Sequence, residues 1–110
     1  LNIKGMIESS RDLIGNHNFT TFRSTHCQSK SPIKTIDSIQ IQQDGLEISI
    51  SISAKSFLHN QVRSIAGSLK LVGEGKWNEK KIKEILNKED RTLCGPVAPP
   101  EGLYLMKVDY

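Results

Sequence analysis

Arg63 is the side chain in this sequence best suited to hold a reacting group. It follows Val62, on the flank of an apolar stripe made by Leu58, Val62, Ile65, Ala66, Leu69 and Val72. An arginine so placed can reach past a sheet edge into a cleft and grip a carboxylate through two parallel N–H bonds. An arginine that lies along its helix with its head in water has the same spacing, and pattern alone favours that second reading. His26 and Cys27 are adjacent, but sequence neighbours point apart and no third group orients the imidazole, so a Cys/His nucleophile pair is disfavoured. His17, His26 and His59 lack the spacing of metal ligands, so a metal site is disfavoured. The sequence holds neither a glycine-rich phosphate loop nor the paired strand aromatics of an ordinary RNA-recognition motif.

Charge points to a partner. The chain has 15 Lys and Arg against 12 Asp and Glu, a net charge of +3. That excess is small, but it is unevenly spread. No acidic residue lies between Asp12 and Asp37, where Arg23, Lys30 and Lys34 occur with His17 and His26. The later lysines are balanced by Glu79, Glu84, Glu89 and Asp90. A local positive field on one loop suits a nucleic-acid backbone.

The elements that would position these groups follow from periodicity. Ile3, Met6, Ile7, Leu13 and Ile14 fall near helical spacing, with Gly15 and Asn16 as a stop. From Phe19 to Pro32 the composition is that of a polar loop. A hairpin follows: Ile39 and Ile41 share a face, Asp44-Gly45 marks the turn, and Leu46, Ile48, Ile50, Ile52 and Ala54 alternate with Glu47, Ser49, Ser51, Ser53 and Lys55. Its serine-rich face leaves room for a partner and equally suits plain solvation. The period then becomes helical through the Leu58–Val72 stripe, which Gly73 and Gly75 end. Trp77 precedes an expected cap at Asn78 and is placed to staple onto Ile82; Ile82, Ile85 and Leu86 face inward, with Glu84 and Lys88 paired outside. The proline-rich stretch 95–100 can be neither helix nor central strand. Leu103 to Val108 is apolar at nearly every position and reads as a central strand. The expectation is an α+β domain of order α-β-β-α-α-β, a mixed or antiparallel sheet with helices on one face.

At 110 residues, 36% hydrophobic and 25% charged, the chain fits one globular domain. No apolar run approaches the ~20 residues of a membrane helix. Two distant cysteines suit neither a disulfide framework nor a zinc site, so a cytoplasmic setting is expected. The chain opens on Leu1 inside a helical pattern, and we read it as part of a longer protein; a processed small protein is the alternative.

Five stretches in register carry a resemblance. Asn16-His17-Asn18-Phe19-Thr20-Thr21-Phe22-Arg23 resembles G-x-H-[DN]-F-x-x-F-R of the tRNA pseudouridine synthases of the TruA kind. Cys27-Gln28-Ser29-Lys30-Ser31-Pro32 is similar to their C-Q-[SA]-[RK]-[ST]-P, and the Phe57–Gly67 stretch to F-L-x-x-M-V-R-x-I-x-G. Asp90-Arg91-Thr92 and the stretch 98–105 resemble the closing D-R-T and A-P-x-x-G-L-Y-L. Gln61 stands where methionine is commoner, a harmless change on an exposed turn, and Val97 where threonine is commoner.

The resemblance implies a ferredoxin-like pseudouridine synthase half, with residues 1–110 as the C-terminal domain. It implies isomerisation of uridine to pseudouridine in the anticodon stem-loop of tRNA, by a homodimer using no metal or cofactor. The family's starting aspartate, in R-T-D-x-G-V-H-A, and its base-stacking tyrosine belong to the N-terminal half, and neither motif occurs here. By resemblance Arg63 pairs with that aspartate, Leu103 packs beside the target base, and His26, Cys27, Gln28, Ser29 and Lys30 meet the tRNA backbone. Arg23 and Lys34 belong to the same acid-free stretch. The fragment alone is expected to be inactive. A non-catalytic RNA-binding or dimerisation module is the competing reading, and a cysteine-dependent enzyme a third.

Overall fold

A computed structural model of the chain describes residues 2–22, 32–45, 47–55, 61–95 and 104–109. The first helix, α1 (Ile3–Ser10), is capped by Asn2, whose side-chain oxygen accepts the Gly5 N–H at 3.0 Å. It ends earlier than its apolar spacing suggests. Ser10 Oγ turns back to donate to the Ile7 carbonyl at 2.7 Å, and Ser9 Oγ donates to that of Glu79 at 3.1 Å. Such side-chain bonds compete with helix continuation. A 3₁₀ turn, Arg11–Leu13, then carries Leu13 into the core.

Gly15 and Asn16 do not stop a helix. They open a short strand, β1 (Gly15–Asn18). Gly15 has φ +103, a conformation other residues rarely adopt, and so permits the change of direction. The strand pairs antiparallel with the start of β2 (Ile33–Asp44), aligning Gly15 with Ile36 and Asn18 with Ile33. The supposed polar loop begins inside the core: Thr20–Phe22 is a 3₁₀ turn, and Phe19 and Phe22 are fully buried.

The hairpin of β2 with β3 (Glu47–Ala54) forms as its alternation dictates. Gly45, at φ +64, supplies the left-handed turn. One irregularity decides which side chains face inward. Ile36 pairs with Ala54, but Ser38 pairs with Ser53, so Asp37 is an extra residue on β2. This bulge shifts the parity of the strand. It lets Ile36, Ile39 and Ile41 share the inner side with Ile48, Ile50 and Ile52 despite the three-residue step from 36 to 39. Thr35, Ser38, Gln40, Gln42, Ser49, Ser51 and Ser53 are left on the outer face.

The helix α2 (Gln61–Gly73) packs against α1 and the 20–22 turn, with Val62, Ile65, Ala66, Leu69 and Val72 in the common core. Gln61, expected on an exposed turn, is fully buried (0% accessible). With neighbours on several sides, α2 offers little solvent face even at its first residue. Leu58 lies outside the described residues. The cap of α3 (Lys81–Lys88) falls at Lys80, two residues after Asn78. Asn78 still contributes, since its Oδ1 accepts the Lys80 N–H at 2.9 Å. Trp77 packs at the edge of the core with its ring 5.8 Å from Lys81 Nζ, and Glu84 and Lys88 pair at 3.5 Å.

The last strand, β4 (Tyr104–Asp109), pairs in parallel with β3, Ile48 opposite Tyr104 and Ile52 opposite Val108. A parallel pair needs a crossover, and α2 and α3 provide it. The sheet order is β1-β2-β3-β4, so among the described residues β4 stands at the sheet's end, where a central position was expected. An unbroken apolar run signals burial but not the number of neighbouring strands. The α+β class holds, with β1 added to the expected order.

Candidate functional site

Arg63 occupies the first turn of α2 and is half-buried between Val62 and Ser64, both buried. The inward side of α2 is fixed by its apolar stripe, so the placement of Arg63 is set by helix phase. The helix also carries a ridge of small residues. Ser68 Oγ accepts the Gly95 N–H at 3.1 Å, and a Cβ on Gly95 would lie only 3.1 Å from Ser68 Cα. A side chain here would crowd α2, so glycine suits this close pass before the chain enters the stretch leading to β4, which itself contacts α2. Arg63 and the strand that follows Leu103 are thereby tied to one helix.

Several residues of the resembled motifs have structural work. Phe19 and Phe22 fill the core. Thr21 is fully buried; its Oγ1 donates to the Ile85 carbonyl at 2.7 Å and accepts the Asp90 N–H at 3.1 Å. One hydroxyl therefore latches the turn at residues 20–22 to the last turn of α3 and to the chain just beyond it. Asp90 caps the 3₁₀ turn Arg91–Leu93, accepting the Thr92 hydroxyl at 2.6 Å and its N–H at 2.9 Å, and these bonds hold its carboxyl below the usual value. Nothing in the sequence reading marked Thr21, because a threonine inside a polar run carries no burial signal. Thr21→Val leaves a buried carbonyl and a part-buried amide without this partner. The expected loss is about 1–3 kcal/mol of folding free energy, read as a lower urea midpoint at unchanged slope; an unaltered midpoint would contradict the latch.

His17 is also structural: its Nε2 lies 2.9 Å from the Ile14 carbonyl, and its ring meets Phe19 edge-on at 5.8 Å. Burial pushes the Cys94 thiol up, against the smaller lowering effects of its Ser68 and Ser64 contacts. Among the described residues there is no cluster of three or more His, Cys, Asp or Glu side chains able to hold a metal, and no helix long and apolar enough to cross a membrane.

Of the other expected site residues, Lys34 lies on β2 and lines a surface groove with Asn16, Ile33, Thr35, Asp37 and Lys55. It belongs to the sheet layer and Arg63 to the helix layer. Arg23, His26, Cys27, Gln28, Ser29, Lys30 and Leu103 lie outside the described residues, as do Val97 and the stretch 98–103.

A family model described as tRNA pseudouridine synthase matches residues 10–110, and the chain belongs to that family. It is 56% identical over its whole length to tRNA pseudouridine synthase A of Sinorhizobium fredii, covering 44% of that protein. It is 54% identical to the enzyme of the same name from Parvibaculum lavamentivorans, covering 45%, and 56% identical over 105 residues to that from Rhizobium meliloti, covering 42%. The chain thus spans less than half the length of these curated relatives.

Proposed function

We propose that this chain is the C-terminal part of a tRNA pseudouridine synthase that isomerises uridine in the anticodon arm of tRNA. The observation that carries the reading is the family match across residues 10–110 combined with Arg63, in register with the family arginine, half-buried at the head of α2. The reaction breaks the ribose C1′–N1 bond, turns the uracil and joins C1′ to C5. C5 gives up its hydrogen and N1 gains one, so no oxidant or cofactor is consumed. A stacked uridine must first be flipped out, at a cost of a few kcal/mol. Contacts to the RNA backbone offset that cost; in our reading Arg23, Lys30 and Lys34 supply charge, and His26, Cys27, Gln28 and Ser29 supply polar contacts.

Arg63 serves a carboxylate brought by another segment of the complete polypeptide. An aspartate enclosed beside a nucleobase loses hydration and drifts toward its neutral form, and a guanidinium partner holds it ionised. Leu103 packs beside the base. The complete enzyme acts as a cytoplasmic homodimer. Its activity is tested by incubating the complete polypeptide with tRNA transcript carrying tritium at uridine C5: time-dependent release of tritium to water is expected, and full retention would refute the assignment.

A further inference from the structure

The outer face of the sheet carries a groove that the motif residues do not account for. Asn16, Ile33, Lys34, Thr35, Asp37 and Lys55 line an open depression of about 400 Å³. The register explains why these residues meet. Asn16 is opposite Thr35, and its amide donates to the Thr35 hydroxyl at 2.8 Å. The bulge at Asp37 lies opposite the end of β3, where Ala54 pairs with Ile36, and Lys55 follows directly. β1, β2 and the residue that follows β3 therefore meet in one groove, where Lys55 stands with an amide, a hydroxyl and an isoleucine that is 51% exposed. Farther along the same face, Ser38, Gln40, Ser51 and Ser53 line a smaller polar depression. The chain that leaves at Phe22 and returns at Pro32 contains Arg23, His26 and Lys30 and no acid.

We infer that this groove is a backbone-contact site for the tRNA, with Lys55 as a phosphate ligand and Asp37 as the charge that limits how closely a phosphate approaches. The inference rests on the proposed function and adds to it two residues outside the resembled motifs. Ammonium groups neutralise phosphates irrespective of sequence, while amide and hydroxyl groups bond phosphate and ribose oxygens and fix register. The exposed Ile33 gives a ribose an apolar surface to lie on. Asp37 is the first acid after the acid-free run, and it stands inside the groove. A phosphate is therefore favoured at Lys55 and disfavoured at the bulge, which sets where along the groove the backbone runs.

The test measures equilibrium binding of an unmodified tRNA transcript to the complete polypeptide across a salt series, for wild type, Lys55→Gln and Asp37→Asn. Both substitutions are at exposed positions and nearly preserve shape. For Lys55→Gln the slope of log K against log salt is expected to fall by about 0.7–0.9, with the same loss for a non-cognate RNA hairpin. Asp37→Asn is expected to tighten binding about two- to fivefold. Wild-type slope and affinity in both variants would overturn the inference. So would a change confined to self-association, which would assign the lysines to an acidic surface of a second protein molecule. Tritium release in the same preparation separates the two proposals: normal turnover with unaltered variant binding removes the groove alone. A wild-type protein that binds tRNA without turnover removes the catalytic reading and leaves the groove to its own result, and one that binds no RNA removes both.

Discussion

Arg63→Ala in the complete polypeptide is expected to lower pseudouridine formation by about 160- to 5,000-fold while tRNA binding survives. Removing one partner of a buried ion pair costs about 3–5 kcal/mol, because the remaining charge is left in a poor solvent. Each 1.36 kcal/mol at the transition state is tenfold in rate, which gives the expected range. Arg63→Lys keeps the charge and loses the planar fork, so it should fall between the wild type and the alanine variant. A helix arginine lying in solvent would show neither effect. Single-turnover tritium release at saturating enzyme reads the chemical step apart from binding; unchanged turnover in Arg63→Ala would refute the role given to this side chain.

The second large effect is on affinity. Arg23→Ala, Lys30→Ala and Lys34→Ala combined should weaken tRNA binding and flatten its salt dependence by about 2–3 units of log-log slope, if each lysine or arginine neutralises one phosphate. The contribution is electrostatic, so it should be largest at low salt and the same for any RNA of similar shape. An identical slope in the triple variant would mean that the acid-free stretch faces solvent when tRNA is bound. Because Lys34 shares a groove with Lys55, its contribution and that of Lys55 are expected to be non-additive.

What was legible in the sequence was whatever had a clear period. The isoleucine–serine alternation of β3 and the Asp44-Gly45 turn specified the hairpin, and the Val62–Val72 stripe specified α2 and its inner face. β1 was hidden because Gly-Asn-His-Asn has almost no strand propensity; it exists through its register with residues 33–36. The bulge at Asp37 was hidden for the opposite reason. Ile36 and Ile39 break a two-residue period, and only the pairing partner reveals that one extra residue restores it. Phe19 and Phe22 were averaged into a polar loop, although two aromatics three residues apart are themselves a burial signal. The expected exposure of Gln61 failed because burial at a helix start depends on what packs around it.

The site shows the same division. Periodicity placed Arg63 beside the stripe, but its chemistry came from the resemblance, since a solvated arginine gives the same pattern. The groove with Lys34, Asp37 and Lys55 could not be read at all, because it joins residues up to 39 positions apart (16 to 55) through strand register and a bulge.

The Arg63 guanidinium is proposed to meet a carboxylate from another segment of the complete polypeptide, and a crystal structure of that polypeptide measures the contact directly. The expected result is an Arg63 nitrogen about 2.7–2.9 Å from an aspartate oxygen, inside a cleft that opens on the sheet. A guanidinium bonded only within residues 1–110, or extended into bulk water away from any carboxylate, would contradict it.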